Sequence, residues 1–240
     1  MKNSYRVLPV AFAIAATMAI STQATAGDLT NFNGINQTQF LALSKDLAAA
    51  TSTKAIEPAA PLGLTGFDIS AAATATKTTA GSVWGTASGD STNHLLQTKL
   101  SASKGLPWGV DVGGFVSQAQ ASNITASGIH AKYALLEGNA ITPAISLRAS
   151  HSRMGGVSQM SLNNSGLELL ISKGFVGVTP YAGVGTVYSV AKANGKNDET
   201  FTQNKSFVGV SLNMLLVNLS AEYDRTGKTS SIGVKAGVRF

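Results

Sequence analysis

From Leu62 to the C-terminus, apolar and polar residues alternate with a period of two. This is the pattern of strands that turn one face toward an apolar environment. In the last segment Ile232, Val234, Ala236, Val238 and Phe240 make one face, and Gly233, Lys235, Gly237 and Arg239 the other. Before it, Val217, Leu219, Ala221 and Tyr223 oppose Asn218, Ser220, Glu222 and Asp224, with a turn at Arg225-Thr226-Gly227-Lys228. The same parity recurs upstream and gives ten strands in all, beginning near Phe67. The chain before Leu62 reads differently. Phe40, Leu43 and Leu47 fall at helical spacing and predict a short amphipathic helix over 37–50, and Pro58 and Pro61 mark a break after it.

An antiparallel sheet of this kind could be a sandwich or a barrel. The second face decides between them, because it carries Gly, Ser and Asn with charges near mid-strand, while the apolar face carries no charge within the strands as read. A polar interior and an apolar exterior describe a transmembrane antiparallel up-and-down β-barrel. An even count of ten strands returns both ends of the sheet to one side of a membrane. Connections near Leu106, 137–140, Gly174 and Leu215 read as tight, those over 77–93 and 191–202 as long, and 151–160 as intermediate. Short periplasmic turns and longer external loops are the expected asymmetry. On the outward face Trp108, Tyr133 and Phe240 fall toward one end of the strands, and Tyr188 and Tyr223 toward the other. Two aromatic girdles at the membrane interfaces are therefore expected.

Composition narrows the choice further. The 240 residues include 44% apolar and only 12% charged residues, 25 Gly, 6 Pro and no Cys, so a disulfide framework and any thiolate metal site are excluded. Beyond the first 20 residues no apolar run approaches the ~18 needed for a spanning helix. Lys2 and Arg6, an apolar stretch over 7–20 and Ala24-Thr25-Ala26 read as a secretory signal peptide cleaved after Ala26. The organisation expected is therefore a signal peptide over 1–26, an N-terminal periplasmic arm with a short helix over 27–57, and an outer-membrane barrel over 58–240. The arm could plug the lumen, lie on the periplasmic membrane surface or hang free.

The C-terminal run Ser231-Ile-Gly-Val-Lys-Ala-Gly-Val-Arg-Phe240 resembles the insertion signal of Gram-negative outer-membrane proteins. Pro61-Leu-Gly-Leu-Thr-Gly-Phe-Asp68 and Lys104-Gly-Leu-Pro-Trp-Gly-Val-Asp-Val-Gly113 resemble a group of poorly characterised proteobacterial outer-membrane barrels. So does Ser172-Lys-Gly-Phe-Val-Gly-Val-Thr-Pro-Tyr-Ala-Gly-Val-Gly185. The resemblance implies residence in the outer membrane, contact with its lipids and lipopolysaccharide, and recognition of Phe240 by the barrel assembly machinery. It assigns no catalytic residue.

By parity, the lumen receives Asp68, Asp111, Glu168, Glu222 and Asp224 against Lys99, Lys132, Arg148, Lys235 and Arg239. Unpaired charge is costly inside narrow low-dielectric walls, and a balanced set can pair across strands, for example Glu222 or Asp224 with Lys235. Barrels of about eight strands are filled by side chains and open channels need about sixteen, so a salt-bridged interior with at most a thin water path is expected.

No catalytic or cofactor motif stands out. His94, His130 and His151 lack metal-ligand spacing. His151 beside Ser150 or Ser152 cannot form a rim dyad, because strand neighbours point to opposite faces. Gly183-Val-Gly185 lacks the spacing of a dinucleotide loop. The net charge of +6 is scattered, which disfavours nucleic acid and suits anionic lipid. No metal or cofactor is expected. The function expected is a non-enzymatic envelope protein, structural or a narrow low-conductance pore for small solutes. The alternatives are an outer-membrane lipid hydrolase or protease, or an adhesin using the 77–93 loop with an exposed Trp84.

Overall fold

The structure, a computed structural model, describes residues 27–89 and 93–240; the expected signal peptide lies outside the described residues. Ten antiparallel strands form one closed barrel. They are β1 (Phe67–Lys77), β2 (His94–Leu106), β3 (Val110–Ala119), β4 (Thr125–Leu136), β5 (Ala144–Gly155), β6 (Met160–Ser172), β7 (Val178–Ala193), β8 (Glu199–Met214), β9 (Val217–Thr226) and β10 (Thr229–Arg239). Each strand pairs with its sequence neighbour, and β1 pairs with β10 to close the ring, from Asp68 opposite Arg239 to Lys77 opposite Ser230. Closure leaves no sheet edge unpaired. The amide and carbonyl of Phe67 also bond the carbonyl and amide of Phe240, which locks the start of the barrel to its end.

The two ends of the barrel differ. The turn end holds Phe67, Phe240 and the connections at 107–109, 137–143, 173–177 and 215–216. The loop end holds the 78–93 connection, which contains helix α2 (Gly81–Ser88). Other loops there are shorter than the sequence suggests. β7 and β8 run on to Ala191 opposite Glu199, where a loop over 191–202 was expected, and Gly195 makes the turn at φ +72°. β5 likewise continues to Gly155, which absorbs half of the expected 151–160 connection. The ladder hydrogen bonds carry these segments past the point where apolar alternation fades. Lengthening also places Lys77, Arg153, Lys192 and Arg225 at outward strand positions, contrary to the uncharged outer face expected. These four sit in the loop-end halves of their strands, while Lys104 of β2, also outward, lies at the turn end over the Phe67 ring.

Below the loop-end cations the outer face is an apolar belt. Ile69, Leu100, Val116, Ile129, Leu167, Val184, Val208 and Ile232 are all more than half exposed. A soluble barrel would carry such a belt at a large cost in water, whereas hydrocarbon accommodates it.

Helix α1 (Gln37–Thr51) is not outside the barrel but within it. Asn36 caps its N-terminus, and Gln39 returns the bond to complete a capping box. Phe40, Leu43 and Leu47 are fully buried against Leu95, Ile124, Met154 and Leu162 of the loop-end wall and Trp84 of α2. Residues 52–62 then descend the lumen. Asn164 Nδ2 donates to Thr51 Oγ1 at 3.1 Å, Ser172 Oγ accepts from the Ala59 amide at 3.1 Å, and Asp111 accepts from the Leu62 amide at 3.0 Å. The segment read as a periplasmic arm therefore threads the barrel from the loop end to the turn end. Its apolar helix face finds its apolar lining at the loop-end mouth, which draws it inside.

Candidate functional site: the sealed lumen

Inward-facing aromatic rings narrow the interior, each accommodated by a glycine across the ladder. Gly183 faces Phe207 and Gly128 faces Phe115, and a Cβ on either glycine would come within 2.2 Å or 2.6 Å of the opposing ring. Tyr181 lies over Gly209 in the same manner. These three glycines thus mark where the partner strand projects a ring. Gly233 leaves room for Ile56 of the threaded segment, whose Cδ1 would lie 2.7 Å from an added Cβ.

The charges expected in the lumen all point inward, and all but Arg239 are buried. Arg148 bonds Glu168 through Nε at 2.6 Å and Nη2 at 2.5 Å, and Lys205 reaches the other Glu168 oxygen at 2.7 Å. Lys132 pairs with Asp111 at 3.2 Å. Asp68 takes both Lys235 at 3.2 Å and Arg239 at 3.1 Å. The expected pairing of Lys235 with Glu222 or Asp224 does not form. Glu222 instead accepts from the Tyr181 hydroxyl at 3.0 Å, and Asp224 lies 3.7 Å from Lys54.

Several functional residues lie outside the set drawn from strand parity. Lys205 was hidden because β8 was read as starting later; its inward parity with Phe207 was the available signal. Lys54, Glu57 and Asp46 belong to the threaded segment, where strand parity says nothing. Glu57 is buried with Oε1 3.5 Å from Lys132 Nζ, 3.6 Å from Arg148 Nη1 and 3.8 Å from His130 Nε2. These cationic and donor groups surround the buried carboxylate and offset part of the cost of burying its charge. Wall lysines also grip the segment's main chain. Lys205 Nζ donates to the Thr53 carbonyl at 2.7 Å, Lys132 to those of Pro58 at 3.1 Å and Ala60 at 3.3 Å, and Lys99 to that of Lys54.

Asp46 closes the loop end. Its carboxylate accepts from the Thr79 and Ala80 amides, the Thr79 and Thr229 hydroxyls and Trp84 Nε1, at 2.7 to 3.2 Å. Trp84 is fully buried, so the exposed indole expected of an adhesin loop is absent. Its indole instead turns inward from α2 onto the cluster around α1, sealing the mouth.

The result is a filled interior. The void beside Glu57, His130, Lys99 and Lys235 holds about 10 Å³, room for one water at most. A larger concavity of about 1270 Å³ lies among residues such as Leu100, Val116 and Ser127. These point outward, so in a bilayer this is lipid space and not lumen.

The aromatics expected as girdles are exposed. Trp108, Tyr133 and Phe240 lie toward the turn end, with Phe67 stacked near Phe240 at 5.6 Å between ring centres. Tyr188 and Tyr223 lie in the loop-end halves of β7 and β9. His151 faces outward and meets not its strand neighbours but Ser165 across the ladder, with Nδ1 and Oγ 3.1 Å apart. Among the described residues no cluster of three His, Asp or Glu side chains could hold a metal.

The fold and the lumen together define a closed antiparallel barrel of the membrane-spanning kind. Solved structures similar to the chain include the KdgM porin, at 11% identity over 72% of this chain and 99% of that one, with a TM-score of 0.39. Neisserial surface protein A is similar at 17% identity over 72% and 95%, with a TM-score of 0.33. The translocator domain of the autotransporter NalP from Neisseria meningitidis is similar at 10% over 85% and 96%, with a TM-score of 0.39. These are likenesses of architecture. No family model matches the chain, and no curated protein matches it.

Proposed function

We propose that this chain is a non-enzymatic outer-membrane β-barrel protein that its own N-terminal segment closes at rest, so that it passes small solutes poorly. The observation that carries this reading is the lumen between α1 and Pro61, which the threaded segment fills down to a void of about 10 Å³. Residence in the outer membrane is supported by the apolar belt, with outward cations at the loop end and Lys104 at the turn end on either side of it. At the loop end Lys77, Arg153 and Arg225 can meet the phosphates of lipopolysaccharide. The exposure of Phe240 at the turn end supports its reading by the assembly machinery.

Planar-bilayer recording tests the closure. The full chain should give no large stable steps, and such steps would overturn the reading. Replacing Leu43 and Leu47 by Asp in the full chain puts two charges into the apolar seal. It should release the segment and produce steps.

One observation favours a second reading. The His151–Ser165 pair sits on the outward face, one rung from Tyr188, where a lipid hydrolase would need it. The outward side chains beside it on the flanking strands are Ile129 and Tyr188, neither of which can orient the imidazole as a carboxylate would. The expected result is therefore phospholipid hydrolysis at background, equal in wild type and Ser165→Ala. Activity lost on that substitution would reverse the choice.

A further inference from the structure

The seat that Glu57 occupies is made entirely by the wall. Lys132 of β4 stands directly opposite Arg148 of β5, and His130 lies two residues along the same inward face. Like charges directly opposite on a ladder repel unless something negative lies between them. The wall's own acids neutralise these groups only from the flanks: Asp111 takes Lys132, and Glu168 takes Arg148 together with Lys205. Neither acid is paired with His130. Its two ring nitrogens have no hydrogen-bond partner although the residue is buried, and Glu57 Oε1 has none either. At 3.5 to 3.8 Å, Glu57 answers three positive or donor groups without saturating any of them. A fixed carboxylate on a threaded chain cannot approach all three at ideal distance, whereas a free one could. The chain around it is held through main-chain carbonyls, so nothing but Glu57 itself matches the seat by side-chain chemistry.

We propose that His130, Lys132 and Arg148 form an anion-binding seat in the barrel wall, built for a small carboxylate, and that Glu57 is its tethered stand-in. This rests on reading the threaded segment as a plug separable from the barrel. It makes the opened lumen favour anionic solutes over cationic ones. The wall supports that preference, since without the plug it presents Lys99, Lys132, Arg148, Lys205, Lys235 and Arg239 against Asp68, Asp111, Glu168, Glu222 and Asp224.

Chemical rescue in the full chain tests the seat. Glu57→Ala empties it, and sodium formate is the probe, with sodium chloride at equal ionic strength as the control. The unfolding midpoint of Glu57→Ala should rise with the logarithm of formate concentration once the seat begins to fill. The wild type should not respond, and adding Arg148→Gln should abolish the response. Equal responses to formate and chloride, or equal responses in variant and wild type, would overturn the seat. If Glu57→Ala does not fold, the same titration is run on Glu57→Gln, whose amide removes the seat's own negative charge and leaves the flanking acids in place, and the same responses support or overturn the seat. A second measurement separates the seat from the plug. The full chain with Leu43 and Leu47 replaced by Asp should show anion preference in a potassium chloride gradient, weakened by Lys132→Gln. Steps that prefer potassium sink the seat. No steps at all sink the plug reading and leave the formate titration to decide the seat.

Discussion

The threaded segment closes one lumen in two different ways. At the loop end, Phe40, Leu43 and Leu47 sit in an apolar cluster with Trp84, Leu95, Ile124 and Leu162, as in the core of a soluble protein. Toward the turn end, residues 53–60 lie among ionised side chains whose contacts are partly long, and which already have partners in the wall. The first closure depends on shape and on the absence of water. The second depends on charge balance, which water or another ion can restore. The same ring of strands therefore supports a rigid seal and an exchangeable one, because Leu95, Met154, Leu162 and Ala191 line it at the loop end and charged side chains line it below. Asp46 lies on the rigid side despite its charge, since backbone amides, hydroxyls and an indole N–H fill its acceptor sites without any cation.

The largest effect should come from the apolar closure. Phe40 is fully buried and meets Phe32 edge-on at 6.5 Å between ring centres. Phe40→Ala should cost about 3–5 kcal/mol, as for other buried aromatic truncations. Heat- or urea-unfolding of the detergent-folded barrel reads the loss. A cost near that of a surface substitution would show that the mouth is not packed as a core, and the contrast between the two closures would fail.

Glu57→Gln should cost less, about 2 kcal/mol, because the cations it leaves keep Asp111 and Glu168. Unfolding midpoints of the detergent-folded barrel read the loss, and a cost near zero would remove Glu57 from the ionic closure.

These two sites also show what the sequence could and could not reveal. Strand parity is a local property, so Asp68, Lys99, Asp111 and the other charges of the inner face were readable from every second position. Pairing is not local. Lys235 could be drawn toward Glu222 or Asp224 on β9 or toward Asp68 on β1, and only closure of β1 against β10 brings Asp68 beside it and Arg239. The path of residues 27–62 was legible only as an amphipathic helix and a proline break. Its destination depends on an apolar mouth assembled from Leu95, Ile124, Met154 and Leu162, which no single strand displays. Trp84 was misplaced for the same reason, because its partner Asp46 lies far along the chain.

The wall itself should yield a smaller effect. Gly183→Ala drives a methyl group into the Phe207 ring and should cost about 1–2 kcal/mol by overpacking. Combined with Phe207→Leu, the cost should be less than the sum of the two single changes, because the ring that clashes is gone. Strict additivity in this cycle, read from unfolding midpoints, would mean that glycine is required there for its backbone and not for the ring opposite.

Lys192→Gln should have the smallest effect, within about 0.5 kcal/mol, although it breaks an ion pair with Asp198. Both partners are more than half exposed beyond the end of the lumen, so solvent screens the attraction and rehydrates either charge when the other is lost. Lys235 and Asp68 form a comparable pair at 3.2 Å, but inside the wall, where neither charge can recover water. Lys235→Gln would leave Asp68 with Arg239 alone and should cost several times more. If unfolding in 1 M salt erased the difference between these two substitutions, the interior charges would be solvated like surface ones. The lumen could not then be the dry, salt-bridged interior on which its closure depends.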